Sequence, residues 1–214
     1  LNDLVGVSGT PTYVYSQSIL ENNFHKLDKI LKKKLGEKQK ILIAFSVKSN
    51  SNIAIINRLH KLESGADVVS VGELKRSLTA GINGNKIVFS GVGKTAEEML
   101  FALDAGVLQF NIESISELKQ LSDISNSNNK IAPIAFRINP DIVAGGHEKI
   151  ATGGSDTKFG IPYNEAVNAY EYAKSLPNIS IVGIDIHIGS QITNIEPFSL
   201  AFQKIRELYN TLVS

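Results

Sequence analysis

The sequence predicts an α/β protein built as a TIM-type (β/α)8 barrel, of which about six βα units are present. Three observations carry that reading. Short apolar runs alternate with amphipathic stretches along the chain, as a parallel α/β fold requires. From Ile41 onward the unit recurs about every 20–25 residues, the spacing of a barrel of roughly 250 residues. Chemically loaded side chains recur at the C-terminal ends of the apolar runs: Lys48, Ser70, Ser90, Glu113, Asn139, and His187 with Ser190. In a barrel those ends share one face, where active sites are built. A doubly wound sheet can also stop at six strands, so the unit count leaves that alternative open; the loaded strand ends favour the barrel.

The elements follow in order. Tyr13 to Tyr15 reads as a strand. Leu20, Phe24, Leu27, Ile30, Leu31 and Leu35 recur at helical spacing and predict a helix over 18–35. Lys32-Lys33-Lys34 is then the solvated face of that helix rather than a phosphate patch. Ile41 to Val47 reads as a buried strand, with helix 52–62 behind it. Strand Ala66 to Ser70, helix 72–80 and strand Lys86 to Ser90 come next. Thr95 with Glu98 forms a capping-box signature opening helix 95–104, which carries Met99, Leu100 and Leu103. After strand Leu108 to Ile112, Ser114 with Glu117 repeats that signature at helix 114–126. Strand Ala132 to Ile138 leads into a long glycine-rich stretch between Pro140 and Pro162, and loops of this length are usually functional or disordered. Its place after a strand end predicts a lid over the active face. Helix 164–175 closes at Pro177 and Asn178, strand Ile181 to Ile188 follows, and helix 197–213 ends the series.

Composition excludes several classes of function. The 214 residues are 43% hydrophobic and 20% charged, and 22 Lys+Arg against 21 Asp+Glu give +1. No clustered basic surface supports nucleic-acid binding. There is no cysteine, so no disulfide or thiolate metal site can form within the chain. No apolar run approaches the roughly 20 residues that span a bilayer, and no signal-peptide core is present. A cytoplasmic protein without nucleic-acid or membrane partners is expected.

Three motifs carry chemistry. Lys48 stands at the mouth of a buried strand, where a long amine either reaches to water or reacts. Ser90-Gly91-Val92-Gly93-Lys94-Thr95 invites comparison with a nucleotide P-loop, but Val88 stands where that motif needs glycine. It reads as a tight βα turn, with Gly93 supplying backbone freedom. His187 in His187-Ile188-Gly189-Ser190-Gln191 is a core residue, a metal ligand or a ring-stacking group. His25, His60 and His147 lie in unrelated contexts, so no metal is expected. Gly189 before Ser190 permits close backbone approach, and a hydroxyl there suits a phosphate oxygen.

Phe45-Ser46-Val47-Lys48-Ser49-Asn50 resembles the cofactor-lysine motif of the alanine-racemase-like, fold-type III pyridoxal phosphate enzymes, most of which have Ala at the place of Ser49. Gly65 through Leu74 resembles a block of the diaminopimelate decarboxylases, with Val71 where Gly is usual. Lys86–Thr95, Phe110–Ser114, Arg137–Asp141, Lys158–Ile161 and Gly189–Thr193 resemble the same enzymes in order, and Thr10–Tyr15 is similar to their N-terminal opening. The resemblance covers the chain from Thr10 onward. Asp185 departs from it, since these enzymes commonly carry a histidine two residues before the stacking one.

The resemblance implies decarboxylation of meso-2,6-diaminopimelate to L-lysine with pyridoxal 5'-phosphate as cofactor. Lys48 is then the catalytic residue and forms the Schiff base. His187 packs on the pyridine ring, Ser190 holds the phosphate, Arg137 is a charged partner near the cofactor, and Asp67 orients its neighbours. For Arg137 and Asp67 an ordinary strand-end ion pair remains the alternative. The resemblance also implies a homodimer with a shared active site and an amino acid substrate. The family's seventh-strand glycine loop, substrate-binding residues and C-terminal β-domain lie further along than Ser214, so an N-terminal fragment is expected. Residues 1–16 would be the strand segment of the β-domain, and 17–214 the partial cofactor-binding barrel. Two other readings stay open: another basic amino acid decarboxylase of this fold, for ornithine or arginine, and a non-catalytic single-domain pyridoxal phosphate protein.

Overall fold

The computed structural model describes residues 2–36, 39–142 and 159–214. The chain divides into two compact units, Leu1–Ile43 and Ala44–Ser214. The first holds helices α1 (Asn2–Ser8) and α2 (Gln17–Leu35). Ser16 caps α2, its hydroxyl accepting from the Ile19 N–H. α1 was not expected, because seven residues around Gly6 carry no capping signal. Residues 13–15 pair with no strand among the described residues, unlike the expected strand. The exposed Tyr13 and Tyr15 rings are stacked at 6.4 Å.

The second unit is one parallel sheet with helices between its strands. In chain order it runs β1 (Ala44–Ser46), α3 (Ile53–His60), β2 (Gly65–Val68), α4 (Val71–Thr79), β3 (Ile87–Phe89), α5 (Ala96–Asp104), β4 (Gln109–Ile112) and α6 (Ile115–Ser127). It continues with β5 (Ala132–Asn139), β6 (Ile161–Pro162), α7 (Ala166–Ser175), β7 (Ile179–Ile186) and α8 (Glu196–Val213). β1 to β5 lie side by side in chain order, and β7 pairs with β5. A doubly wound sheet reverses direction at a switch point, and none occurs here. This monotonic order is that of a barrel wall, and the six full strands are the six units that the sequence predicts. β6, two residues pairing at Ile138↔Ile161, adds a seventh strand that periodicity cannot reveal. The expected lid falls largely on residues 143–158, outside the described residues.

β5 is buried along nearly all its length, as a parallel strand covered on both faces must be. Phe136 stands edge-on to Tyr170 of α7 at 5.0 Å, and Phe89 lies 6.0 Å from Phe110. Truncating such a ring to Ala costs about 3–5 kcal/mol. The β5–β7 register slips between Ile134 and Ala135, leaving Val182 as the extra, exposed residue of a bulge. No described helix is long and apolar enough to cross a membrane.

The βα junctions are tied by side chains. Thr95 and Glu98 form the full capping box that the sequence predicts. Ser114 and Glu117 form only half of one. The Ser114 hydroxyl accepts from the Glu117 N–H, but the Glu117 carboxylate accepts from the Glu113 N–H, one residue earlier, at 2.9 Å. Ser70 and Glu73 repeat that offset arrangement, with Glu73 accepting from the Val69 N–H. Each device fixes the residue at a strand's C-terminal end, where the site lies.

Candidate active site

A cavity of about 610 Å³ opens at the C-terminal ends of the strands. Lys48, Asp67, Arg137, His187 and Ser190, the five site residues expected from the sequence, all line it. Of the other loaded strand-end residues, Ser90 and Glu113 line it too. Ser70 is spent capping α4, and Asn139 faces a separate cavity with Tyr163 and Lys204.

β1 delivers Lys48 on a tight 3-10 turn, Val47–Ser49, closed by the Ser49 hydroxyl donating to the Ser46 carbonyl at 2.7 Å. β2 delivers Asp67, whose carboxylate accepts from the Ser90 hydroxyl at 2.6 Å and the Ser46 hydroxyl at 3.4 Å. From β4, Asn111 donates to the Ser90 Oγ at 3.0 Å, and Gln109 donates to the Asn111 amide oxygen at 2.8 Å. Sequence reasoning missed Gln109 and Asn111. Their signal was two amides at i and i+2 flanking a buried phenylalanine, which places both on one face of a strand.

The opposite wall is charged. Arg137 on β5 donates to Glu113 Oε1 at 2.9 Å, the two side chains being 14% and 3% exposed. The Phe159 ring lies 5.9 Å from the guanidinium carbon. Gly160, at φ +84°, packs so closely on Arg137 that a Cβ would sit 2.8 Å from its carbonyl oxygen. The second carboxylate oxygen of Glu113 is buried without a hydrogen-bond partner. Asp185 on β7 stands across from Arg137 in the register. Burial, reinforced by Asp67 and Glu113, pushes the Asp185 carboxyl up to about 6 against the pull of Arg137. Burial also pushes His187 down to about 4, helped by the charges of Arg137 and Lys48, so its imidazole is neutral at pH 7.

Behind β4 lies an ion pair that the sequence did not announce. Lys94 Nζ donates to Glu117 at 2.6 Å, to the Gly91 carbonyl at 2.6 Å and to the Asn111 carbonyl at 2.8 Å. Lys94 therefore works as an internal clamp and not as a phosphate ligand, in keeping with rejection of the P-loop. The glycine the turn needs is Gly91, at φ +99°, and not Gly93 as expected: a Cβ on Gly93 meets nothing within 4 Å.

The residues present suit a phosphorylated aromatic aldehyde. The cavity has the size of a cofactor pocket. It offers an amine, a neutral imidazole, a serine beside Gly189 at φ +134°, and a buried carboxylate oxygen with acceptor capacity to spare. Among the described residues no group of three metal-ligating side chains forms.

Residues 20–214 match the family model described as pyridoxal-dependent decarboxylase, pyridoxal binding domain. The chain is 49% identical over 212 residues to the diaminopimelate decarboxylase of Zymomonas mobilis, covering 99% of this chain and 50% of that protein. It is 47% identical over 204 residues to that of Haemophilus influenzae, covering 95% and 48%. The chain spans about half the length of the curated relatives it matches. Its fold is similar to the crystal structure of diaminopimelate decarboxylase from Helicobacter pylori complexed with L-lysine, at TM-score 0.91 and 39% identity, covering 99% of this chain and 52% of that one.

Proposed function

Because the chain belongs to the pyridoxal-dependent decarboxylases and holds their pyridoxal-binding domain, we propose that it serves the decarboxylation of meso-2,6-diaminopimelate to L-lysine, the last step of that route to lysine. The observation that carries the reading is the convergence of Lys48, Asp67, Arg137, His187 and Ser190 on one cavity at the strand ends. The choice of substrate follows the names of the relatives and the lysine-bound neighbour.

Pyridoxal 5'-phosphate, when bound, supplies an electron sink for the pair released as CO2 departs. Lys48 would hold it covalently through its amine. His187, neutral at working pH, would stack on the ring and set its plane, which is positioning rather than proton transfer. The Ser190 hydroxyl would donate to a phosphate oxygen. Arg137, fixed by Glu113, and Asp67, fixed by Ser90 and Ser46, supply the opposed charges of the pocket wall. The working protein is read as a cytoplasmic homodimer whose protomers share the active site. Residues 1–16 are read as an edge segment for a β-domain, a role suited to the exposed Tyr13 and Tyr15.

The test is reconstitution with pyridoxal phosphate, followed by absorbance, borohydride trapping and CO2 release from diaminopimelate, ornithine and arginine in parallel. Wild type should trap cofactor and prefer diaminopimelate, and Lys48→Ala should do neither. An undiminished trapped adduct in Lys48→Ala would sink the assignment. Faster release from ornithine or arginine would sink the choice of substrate.

A further inference from the structure

Resting on the cofactor site just described, we infer that Ser90 and Asn111 are positioning residues: a one-way hydrogen-bond relay from β4 through the end of β3 to β2 sets Asp67, and Asp67, by accepting from Ser46, sets the turn that carries Lys48. From Gln109 to Asp67 every proton in the relay points the same way. Gln109 donates to Asn111, Asn111 to Ser90, and Ser90 to Asp67 Oδ1, while Ser46 donates to Asp67 Oδ2 from the other side. The single Ser90 proton is committed to Asp67, because the Ser90 oxygen already accepts from Asn111. Asp67 is thus held as a pure acceptor. Chains of this kind polarise each successive bond, which strengthens the last one, here the shortest at 2.6 Å.

Packing gives no reason for such a layer. A barrel interior is ordinarily filled by branched apolar side chains, and buried amides cost stability unless every group is paired. Asn111 is 4% exposed, and both ends of its amide are used. Ser90 and Asn111 line the cavity, and the relay ends on Asp67, which also accepts from Ser46, two residues before Lys48. The Ser46 carbonyl in turn closes the 3-10 turn through Ser49. Its product is a fixed negative charge on the cavity wall beside the strand end that presents the amine.

The experiment uses the protein reconstituted with pyridoxal phosphate and reads two quantities, cofactor Kd and the midpoint of the pH titration of the bound cofactor's absorbance. Ser90→Ala should raise Kd by about tenfold, the size of one lost charge-assisted bond. It should also lower the midpoint, because a loosely held Asp67 stabilises a protonated nitrogen less. Asn111→Ala should do the same to a smaller degree and Gln109→Ala least, while Ser90→Thr keeps the hydroxyl and stays near wild type. In an Asp67→Asn background, Ser90→Ala should add nothing. The other groups facing the cavity, Lys48, Glu113, Arg137, Asp185 and His187, are untouched by the series. Should Ser90→Ala fold poorly, Gln109→Ala at the outer end of the relay still has to shift the midpoint. Wild-type values throughout the series, or a full Ser90→Ala effect surviving in Asp67→Asn, would overturn the inference while leaving the cofactor site standing. A wild type that takes up no cofactor would overturn both.

Discussion

The two walls of the cavity solve the same problem in opposite ways. On the β1–β4 side the polar groups are mostly neutral, and their hydrogen bonds converge on the one carboxylate of Asp67. On the β5–β7 side charges crowd together: Arg137 is tied to Glu113, Asp185 stands across from it, and one oxygen of Glu113 goes without a partner. The first wall is satisfied without a ligand and the second is not. A site that must stay rigid yet bind a charged molecule needs both. The relay fixes the place of Asp67, and the crowded charges hold interaction energy that a ligand can relieve.

The largest effect that separates the walls should come from Glu113→Ala. It strips Arg137 of its partner in a largely buried setting, and breaking such a pair from one side costs about 3–5 kcal/mol. Asp67→Asn removes a charge but leaves an amide oxygen to accept from Ser90, so about 1 kcal/mol is expected there. Urea midpoints of the two variants measure the contrast. Equal losses would mean that the walls are not different in kind.

Asp185 gives the next effect, and its sign is opposite. Its folded carboxyl titrates near 6, above the ordinary value of 3.8, so the fold favours the protonated form. Stability contributed by that protonation is present below about pH 4 and is lost as pH rises through about 6. Asp185→Asn should therefore stabilise the protein by about 2 kcal/mol above pH 6 and change little below pH 4. A thermal melt series across pH 4–8 decides it. A loss of stability at pH 7 would show that Arg137 depends on Asp185 as well as on Glu113.

His187 follows with a smaller effect. Its folded value near 4 lies below the ordinary 6.5, so the protein loses stability as pH falls from about 6.5 toward 4. His187→Phe should flatten that acid limb and keep most of the cofactor affinity, because a ring remains to stack. His187→Ala should also flatten the limb but weaken cofactor binding by about 1 kcal/mol. Equal cofactor affinity in wild type and both variants would make His187 a core residue and nothing more.

How much of this was legible in the sequence differs between the walls. Lys48, His187 and Ser190 follow apolar runs, a local pattern, whereas Asp67 and Arg137 lie within β2 and β5 and were expected from the family resemblance. The choice of barrel over doubly wound sheet rested on the loaded strand ends, and the observed strand order agrees with it. Gln109, Asn111 and the Lys94–Glu117 clamp were not legible in that way. The partners of Lys94 lie 17 residues away on β4 and 23 residues away on α6, and the packing that aligns them is a property of the whole sheet and its helices. β6 escaped because two residues have no period. The expected strand at Tyr13–Tyr15 shows the converse failure: alternation can predict an extended backbone, but a strand exists only when a partner is at hand.

The last prediction tests the one glycine that was assigned wrongly. Gly91 and Gly93 lie in the same turn after β3, and the sequence reading gave the backbone freedom to Gly93. The geometry reverses the assignment. Gly91 adopts φ +99°, and a Cβ there would lie 3.2 Å from the Val69 carbonyl oxygen, whereas a Cβ on Gly93 meets nothing within 4 Å. Gly91→Ala should cost about 1–2 kcal/mol in backbone strain, and Gly93→Ala should stay within about 0.5 kcal/mol of wild type. Gly91 also lines the cavity, and its carbonyl accepts from Lys94. The alanine should therefore disturb the clamp behind β4 as well as the turn, and raise cofactor Kd measurably. If Gly93→Ala proved the more damaging of the two, the turn would owe its shape to the second glycine after all. The neutral wall would then depend on a residue that touches neither the relay nor the cavity.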